Sequence, residues 1–166
     1  MRVLIVRHGE AVDPSEAGSD GQRWLTEDGR RTMRGVAKVL SEHEVRLDQV
    51  FVSPLVRAVQ TAEILAAASR FEGPVTVWPA LAGGTTAQSL SSLEGVGSHE
   101  ATVALVGHEP LARAMAAHLT GTPEYPGFRT GGVCIAEVPS GGVGRFLWGV
   151  DPKALRRVER IEDFPR

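Results

Sequence analysis

The sequence predicts an α/β fold: a three-layer α/β/α sandwich on a mostly parallel sheet, with an antiparallel portion toward the C-terminus. Short apolar runs alternate with helix-period segments through most of the chain. Three of those runs, Val3-Leu4-Ile5-Val6, Val50-Phe51-Val52 and Val103-Ala104-Leu105-Val106, stop abruptly at a turn bearing charged or polar residues. Toward the end the helical period gives way to two apolar runs on either side of a Gly-rich turn. β-Branched and aliphatic runs without polar alternation fit strands covered on both faces.

In chain order, residues 3–6 form the first strand. Residues 9–24 hold Pro14, Gly18, Gly21 and scattered acids, which predicts an active-site loop rather than a linker. A helix is predicted from Thr26, whose hydroxyl can cap it while Glu27 and Asp28 suit the positive end of its dipole. Met33, Val36, Ala37 and Leu40 give that helix one apolar stripe. The second strand covers 47–52 and the second helix 55–68, with Val59, Ala62, Ile64 and Leu65 turned inward. Gly73-Pro74 and Pro79 bound a third strand at 75–78, and 87–93 reads as a short polar helix. Beyond the strand at 103–106, Pro110 suits the first position of a helix that ends near Gly121. Residues 133–138 and 145–150 flank Pro139-Ser140-Gly141-Gly142-Val143-Gly144, which predicts an antiparallel hairpin.

At 166 residues the chain fits one domain, 1–166, able to bury a core without staples. With 42% hydrophobic and 23% charged residues it reads as an ordinary soluble globular protein, not a disordered one. A net charge of −2 argues against a nucleic-acid binder that neutralises phosphates over a broad surface, while leaving room for a local positive pocket. Cys134 is the single cysteine, so no internal disulfide is expected. The N-terminus is too weakly apolar for a signal peptide and no stretch reaches membrane-spanning length, so a cytoplasmic protein with no membrane partner is expected.

The chemistry sits at the strand ends. Arg7-His8-Gly9 follows the first strand, Ser53-Pro54-Leu55-Val56-Arg57-Ala58 the second, and Gly107-His108-Glu109-Pro110 the strand at 103–106. Ligands of open α/β sheets bind at such carboxyl ends. If these strands are parallel neighbours, Arg7, His8, Arg57 and His108 converge on one rim. Two imidazoles and two guanidiniums with no acid among them make a receptor for a dianion, and phosphate matches the guanidinium fork. Pro110 would leave His108 at the positive end of a helix dipole. A neutral imidazole can attack phosphorus and become a phosphohistidine that water later opens. His8 is the candidate nucleophile, Arg7 and Arg57 stabilise the transferred charge, and His108 is a third donor when protonated. Gly9 and Glu10 join Arg7 and Arg57 as candidate substrate-binding residues.

At Val6-Arg7-His8-Gly9-Glu10-Ala11, Leu25-Thr26, Val52-Ser53-Pro54-Leu55-Val56-Arg57-Ala58-Val59-Gln60-Thr61-Ala62 and Val106-Gly107-His108-Glu109-Pro110-Leu111, the chain resembles the histidine phosphatase (phosphoglycerate mutase-like) superfamily. Within it, the likeness is to the small SixA-type phosphohistidine phosphatases. The resemblance implies a phosphoglycerate mutase-like fold and puts the family's nucleophilic histidine, paired arginines and second histidine on His8, Arg7, Arg57 and His108. It also implies a histidine-phosphorylated relay or phosphotransferase protein as the phosphate-bearing partner. Many members that cleave phosphate esters use a carboxylic acid from the region after the third strand. Here Leu81-Ala82-Gly83-Gly84-Thr85-Thr86 has none. A phosphohistidine substrate needs such an acid less, because an imidazole of pKa about 6.5 can carry the proton with which it departs. Glu10 and Glu109, each beside a proposed catalytic histidine, are the other candidate acids.

Plainer readings stand beside these. His43, His99 and His118 read as surface or interface residues, with an inward-facing His118 as the alternative. Arg30, Arg31 and Arg34 read as a solvated helix face. Trp24, Trp78 and Trp148 read as packing residues, Trp24 also as a candidate to line the site, and Cys134 as a small buried hydrophobe. Position 140, where a Cys-x5-Arg loop starting at Cys134 would need its arginine, is Ser140. No Walker loop, Gly-x-Gly-x-x-Gly or Asp-x-Asp pair after a strand is present. No metal or other cofactor is expected, since two arginines beside the histidines repel a cation. The rival functions are a small-molecule phosphomonoesterase or mutase of the same superfamily and a non-catalytic phosphoprotein-binding module.

Overall fold

The computed structural model describes residues 1–139 and 144–165. Strand β1 (Arg2–Arg7) carries Val3, Leu4, Ile5 and Val6, all fully buried, so the unbroken apolar run is covered on both faces. The following loop holds a short helix α1 (Pro14–Ala17), capped by the Asp13 carboxylate on the Ser15 N–H, and a 3-10 turn at Asp20–Gln22. That loop closes on itself where Ala11 bridges Leu25 and the Val12 N–H donates to Trp24 O. Helix α2 (Glu27–Glu42) starts at the expected cap: Thr26 Oγ1 accepts from the Gly29 N–H, and Met33, Val36, Ala37 and Leu40 lie in its buried stripe. Next come β2 (Gln49–Val52), α3 (Val56–Ala68), β3 (Val75–Val77), α4 (Ala80–Gly83), α5 (Thr86–Leu90) and β4 (Thr102–Gly107). The chain ends with α6 (Leu111–Thr120), β5 (Val133–Glu137), β6 (Arg145–Asp151) and β7 (Arg156–Val158).

The strands form one mixed sheet in the order β3-β2-β4-β1-β5-β6-β7. The first four in that order pair in parallel, and β5, β6 and β7 extend the sheet through antiparallel ladders. Helices α2 and α3 cover one face over a core that includes Leu4, Val6, Val52 and Val106. Leu81 of α4 and Met115 of α6 pack on the other face, against Val3, Ile5 and Leu105. Alternate residues of β1 therefore anchor both cores, and cutting either Leu4 or Ile5 to Ala would cost about 2–5 kcal/mol. The α/β class, the layering and the antiparallel C-terminal portion all agree with the sequence reading.

Several boundaries differ from it for physical reasons. The polar helix expected at 87–93 begins earlier, because Thr85 and Gln88 form a capping box at the head of α5, and it decays into a 3-10 turn at Ser91–Gly95. Pro110 is the residue before α6, not its first helical residue. Strand β7 went unpredicted: Arg156-Arg157-Val158 is too short and charged to alternate, and it is a strand only through its pairing with β6. Of the predicted hairpin connection, residues 140–143 lie outside the described residues. The flanking strands pair antiparallel, with a register shift between Ile135 and Ala136. No helix among the described residues is long and apolar enough to cross a membrane.

Candidate active site

Register alone brings the motifs together. On adjacent strands Val6 pairs with Val106, which pairs with Val52. One step past this rung lie Arg7, Gly107 and Ser53; two steps past it lie His8 and His108. Backbone bonds lock the strand ends, with the His8 N–H donating to Gly107 O at 3.0 Å and the Ser53 N–H to Val106 O at 3.0 Å. The His8 and His108 rings stand with centroids 4.8 Å apart. Arg57 is in the first turn of α3, and its Nε donates to His8 Nε2 at 3.1 Å. Arg7 Nη1 donates to Phe128 O. The four residues thus meet on one rim.

His8 Nδ1 lies 2.6 Å from Gly9 O, an acceptor only, so this nitrogen carries the proton and Nε2 holds the lone pair. That tautomer also makes Nε2 the acceptor that Arg57 Nε requires. Burial is the main reason the His8 imidazole stays neutral down to about 4, and the Arg57 and Arg7 charges add to it, against the opposing pull of Gly9 O. Burial lowers His108 further, to about 3, with His8 and Arg57 adding to the effect. His108 is therefore an uncharged group near neutral pH, where the sequence reading had it donating as a cation. Among the described residues, Arg7 Nε and His108 Nδ1 are buried side-chain atoms without a hydrogen-bond partner. Buried polar groups seldom stay unpaired, and an arginine donor left so close to the His8 lone pair suits an anionic ligand's oxygens.

The second motif supplies the scaffold. Thr61, one turn beyond Arg57, donates to Arg57 O at 2.7 Å and accepts from the Gly9 N–H at 3.1 Å. Gln60 Oε1 accepts from the Leu25 N–H at 2.8 Å, and the Ser53 hydroxyl lies 2.7 Å from His108 Nε2. Gly9 spends its N–H on Thr61 and its carbonyl on His8, so it fixes the setting of the His8 ring. Glycine is also demanded across the loop: a Cβ on Gly29 would collide with Glu10 O, so α2 can lie against the chain after β1 only with no side chain there. Gly131, at φ +83, donates its N–H to both Arg7 O and His8 O.

Asp20, one of the scattered acids of the loop at 9–24, is a partner of Arg57 that sequence pattern does not single out. Its backbone O accepts from Arg57 Nη1 at 2.6 Å and its Oδ2 from Arg57 Nη2 at 3.0 Å, while Oδ1 pairs with Arg23 at 3.0 Å. The Arg23 and Arg57 guanidiniums hold its carboxyl below the usual aspartate range. An acid thus enters a cup expected to be purely cationic, and Arg57 has every arm engaged. Asp20 sits in a loop without periodicity, and its partner is 37 residues away, so only its place in the predicted active-site loop hinted at a role.

Of the candidate acids, Glu10 is exposed, and its backbone O accepts from the Thr26 N–H. Glu109 is committed: Oε1 accepts from the Phe128 N–H, and Oε2 from the Arg113 N–H of α6 at 3.3 Å. His43, His99 and His118 are exposed, as is Trp24 at 40%. Arg31 pairs with Asp28 and Glu27 on the surface of α2. Cys134 is buried in β5, its thiol pushed up to about 12 by burial, which suits a packing residue and not a nucleophile. Among the described residues no cluster of three or more His, Cys, Asp or Glu side chains could hold a metal ion.

Known proteins resemble this chain in sequence and in fold. The family model described as histidine phosphatase superfamily (branch 1) matches residues 3–83. Phosphohistidine phosphatase SixA of Escherichia coli (strain K12) is 31% identical over 165 residues, 97% of this chain and 100% of that protein. The solved structure of the protein histidine phosphatase SixA complexed with tungstate superposes with a TM-score of 0.84 at 32% identity, covering 94% of this chain and 100% of that one. A mycobacterial glucosyl-3-phosphoglycerate phosphatase shares the fold, with a TM-score of 0.65 at 18% identity over 87% of this chain and 96% of that one.

Proposed function

The chain belongs to the histidine phosphatase superfamily, and from that membership we propose that it is a SixA-like phosphohistidine phosphatase, hydrolysing phosphorylated histidine on a protein without a metal. His8 Nε2 attacks phosphorus in line as the N–P bond to the substrate's imidazole breaks. Arg7, Arg57 and His108 hold the phosphoryl oxygens, and the charge they meet is spread over those oxygens throughout the transfer. The leaving imidazole departs neutral if it carries its own proton, and its ordinary pKa of about 6.5 makes that proton available without a carboxylic acid from the protein. Water then opens the phosphohistidine, releasing inorganic phosphate and restoring His8. Glu10, exposed and two residues from His8, is assigned to contact the substrate.

The observation that carries the reading is the arrangement around His8: a lone pair fixed on Nε2 by the Nδ1 bond to Gly9 O, with two buried nitrogens lacking partners, Arg7 Nε and His108 Nδ1, on the residues beside it. The absence of a carboxylate at 81–86 favours N–P over O–P cleavage. The substrate is then a histidine-phosphorylated relay or phosphotransferase protein, and the work is protein dephosphorylation in the cytoplasm. Turnover of a phosphohistidine peptide, a sugar phosphate and phosphoglycerate, measured side by side, tests this. Release of phosphate from the peptide well ahead of the other two is expected. Faster turnover of either ester would make the chain a small-molecule phosphomonoesterase or mutase, and binding of all three without turnover would make it a phosphoprotein-binding module.

A further inference from the structure

Ser53 has no part in the chemistry described so far, yet it is fully buried and its hydroxyl lies 2.7 Å from His108 Nε2. A serine hydroxyl has one proton to give and two lone pairs. One lone pair is taken by the Leu55 N–H, at 3.3 Å. Among the described residues His108 Nε2 is the only acceptor within reach of that proton. Were His108 protonated at Nε2, that N–H would donate to the remaining Ser53 lone pair and the Ser53 proton would be buried without an acceptor, a costly arrangement. The favoured arrangement has Ser53 donating to a bare Nε2, which sends the imidazole proton to Nδ1, the buried ring atom that lacks a partner.

Resting on the phosphatase reading of the site, we propose that Ser53 is a positioning residue that fixes His108 as the Nδ1–H tautomer, so that the neutral imidazole presents a hydrogen-bond donor to the phosphoryl group. His108 then needs no proton from solvent to act. This explains how a residue held uncharged by burial can serve as a donor at neutral pH. It also separates the roles of two neutral histidines 4.8 Å apart. Gly9 O draws the His8 proton to Nδ1 and leaves a nucleophile at Nε2, whereas Ser53 draws the His108 lone pair to Nε2 and leaves a donor at Nδ1. Each second partner decides which ring atom faces the chemistry.

The test reads the tautomer directly, by long-range 1H–15N correlation of the His108 ring in the free protein near pH 7. The expected spectrum shows Nδ1 protonated and Nε2 bare. Ser53→Ala is expected to mix the two tautomers and lower kcat for a phosphohistidine peptide roughly 5- to 10-fold, the worth of one neutral hydrogen bond. Ser53→Thr, which keeps the hydroxyl, restores the wild-type ring signals. Removing the donor itself, in His108→Ala, is expected to cost about 100-fold, and adding Ser53→Ala to that variant costs nothing further. A wild-type ring protonated at Nε2, or a tautomer unchanged in Ser53→Ala, overturns the proposal. The spectrum needs no turnover, so an Nδ1–H ring in a protein that hydrolyses no phosphohistidine would refute the phosphatase reading alone, and an Nε2–H ring in an active enzyme would refute the role of Ser53 alone.

Discussion

Replacing Asp20 with Asn should make the protein bind phosphate more tightly. In the proposed reaction Asp20 and a substrate phosphoryl group compete for the same guanidinium, since Arg57 gives Nη2 to the Asp20 carboxylate and Nε to His8. The Arg57 side chain is 7% exposed and that of Asp20 60%, so the pair is open to water on its acidic side. An ion pair of that kind contributes about 0.2–1 kcal/mol. A dianion entering beside a displaced but still charged carboxylate also meets repulsion of about 1 kcal/mol per charge at 4 Å even in full solvent screening. Asn removes both costs while the Asp20 backbone O keeps its bond to Arg57 Nη1. Together they amount to about 2–3 kcal/mol, or roughly 30- to 160-fold in affinity. Titration calorimetry with inorganic phosphate at pH 7.5 measures this, and the gain should shrink as salt is raised. Because its guanidinium partners keep Asp20 ionised well below neutral pH, the difference should rise from about pH 6 to 8 only as the phosphate itself gains its second charge. Unchanged or weaker binding in Asp20→Asn would mean that the carboxylate holds Arg57 in its working position, and the competition argument would be wrong.

Gly29→Ala should lower stability by about 1–3 kcal/mol, seen as a fall in Tm, and reduce kcat as well, because the new methyl pushes on Glu10 two residues from His8. The acid limb of kcat/KM should lie toward pH 4, well below the ordinary imidazole value, because His8 remains a neutral nucleophile down to about 4. The same shift makes the fold acid-sensitive. The unfolded chain takes up a proton near 6.5 and the folded one near 4, so stability is full above about 6.5 and is lost as pH falls between the two. At about 1.4 kcal/mol per pKa unit, His8 accounts for about 3 kcal/mol of that loss. Urea unfolding at pH 7.5, 5.5 and 4.5 should therefore show a shallower decline in His8→Asn than in the wild type, with His108 acting in the same direction.

What the sequence made legible was whatever rests on short-range pattern. The β1 run, the Thr26 cap and the stripe Met33, Val36, Ala37 and Leu40 follow from local chemistry and appear where expected. The convergence of Arg7, His8, Arg57 and His108 needed one further assumption, that three strands are parallel neighbours, and the order β2-β4-β1 supplies it. Contacts between distant, non-periodic positions were not legible. Asp20 reaches Arg57 only because the loop after β1 folds back over the start of α3, and β7 is a strand only because β6 is beside it. Ser53, Gln60 and Thr61 stood in a motif already singled out at Arg57, but a hydroxyl or amide acquires its role from the partner it meets. The neutrality of His108 was likewise hidden, since it comes from the burial of a ring that the sequence shows only as a histidine after a strand.

The central claim is that His8 Nε2 takes up phosphorus. Rapid mixing with a phosphohistidine peptide labelled on phosphorus, quenched in alkali where phosphohistidine survives, then digested and mapped by mass spectrometry, tests it most directly. The account predicts label on His8 within a single turnover, attached at Nε2, decaying as inorganic phosphate appears and absent in His8→Ala, which should also lose turnover. Label on any other residue, or steady hydrolysis by His8→Ala, would contradict it.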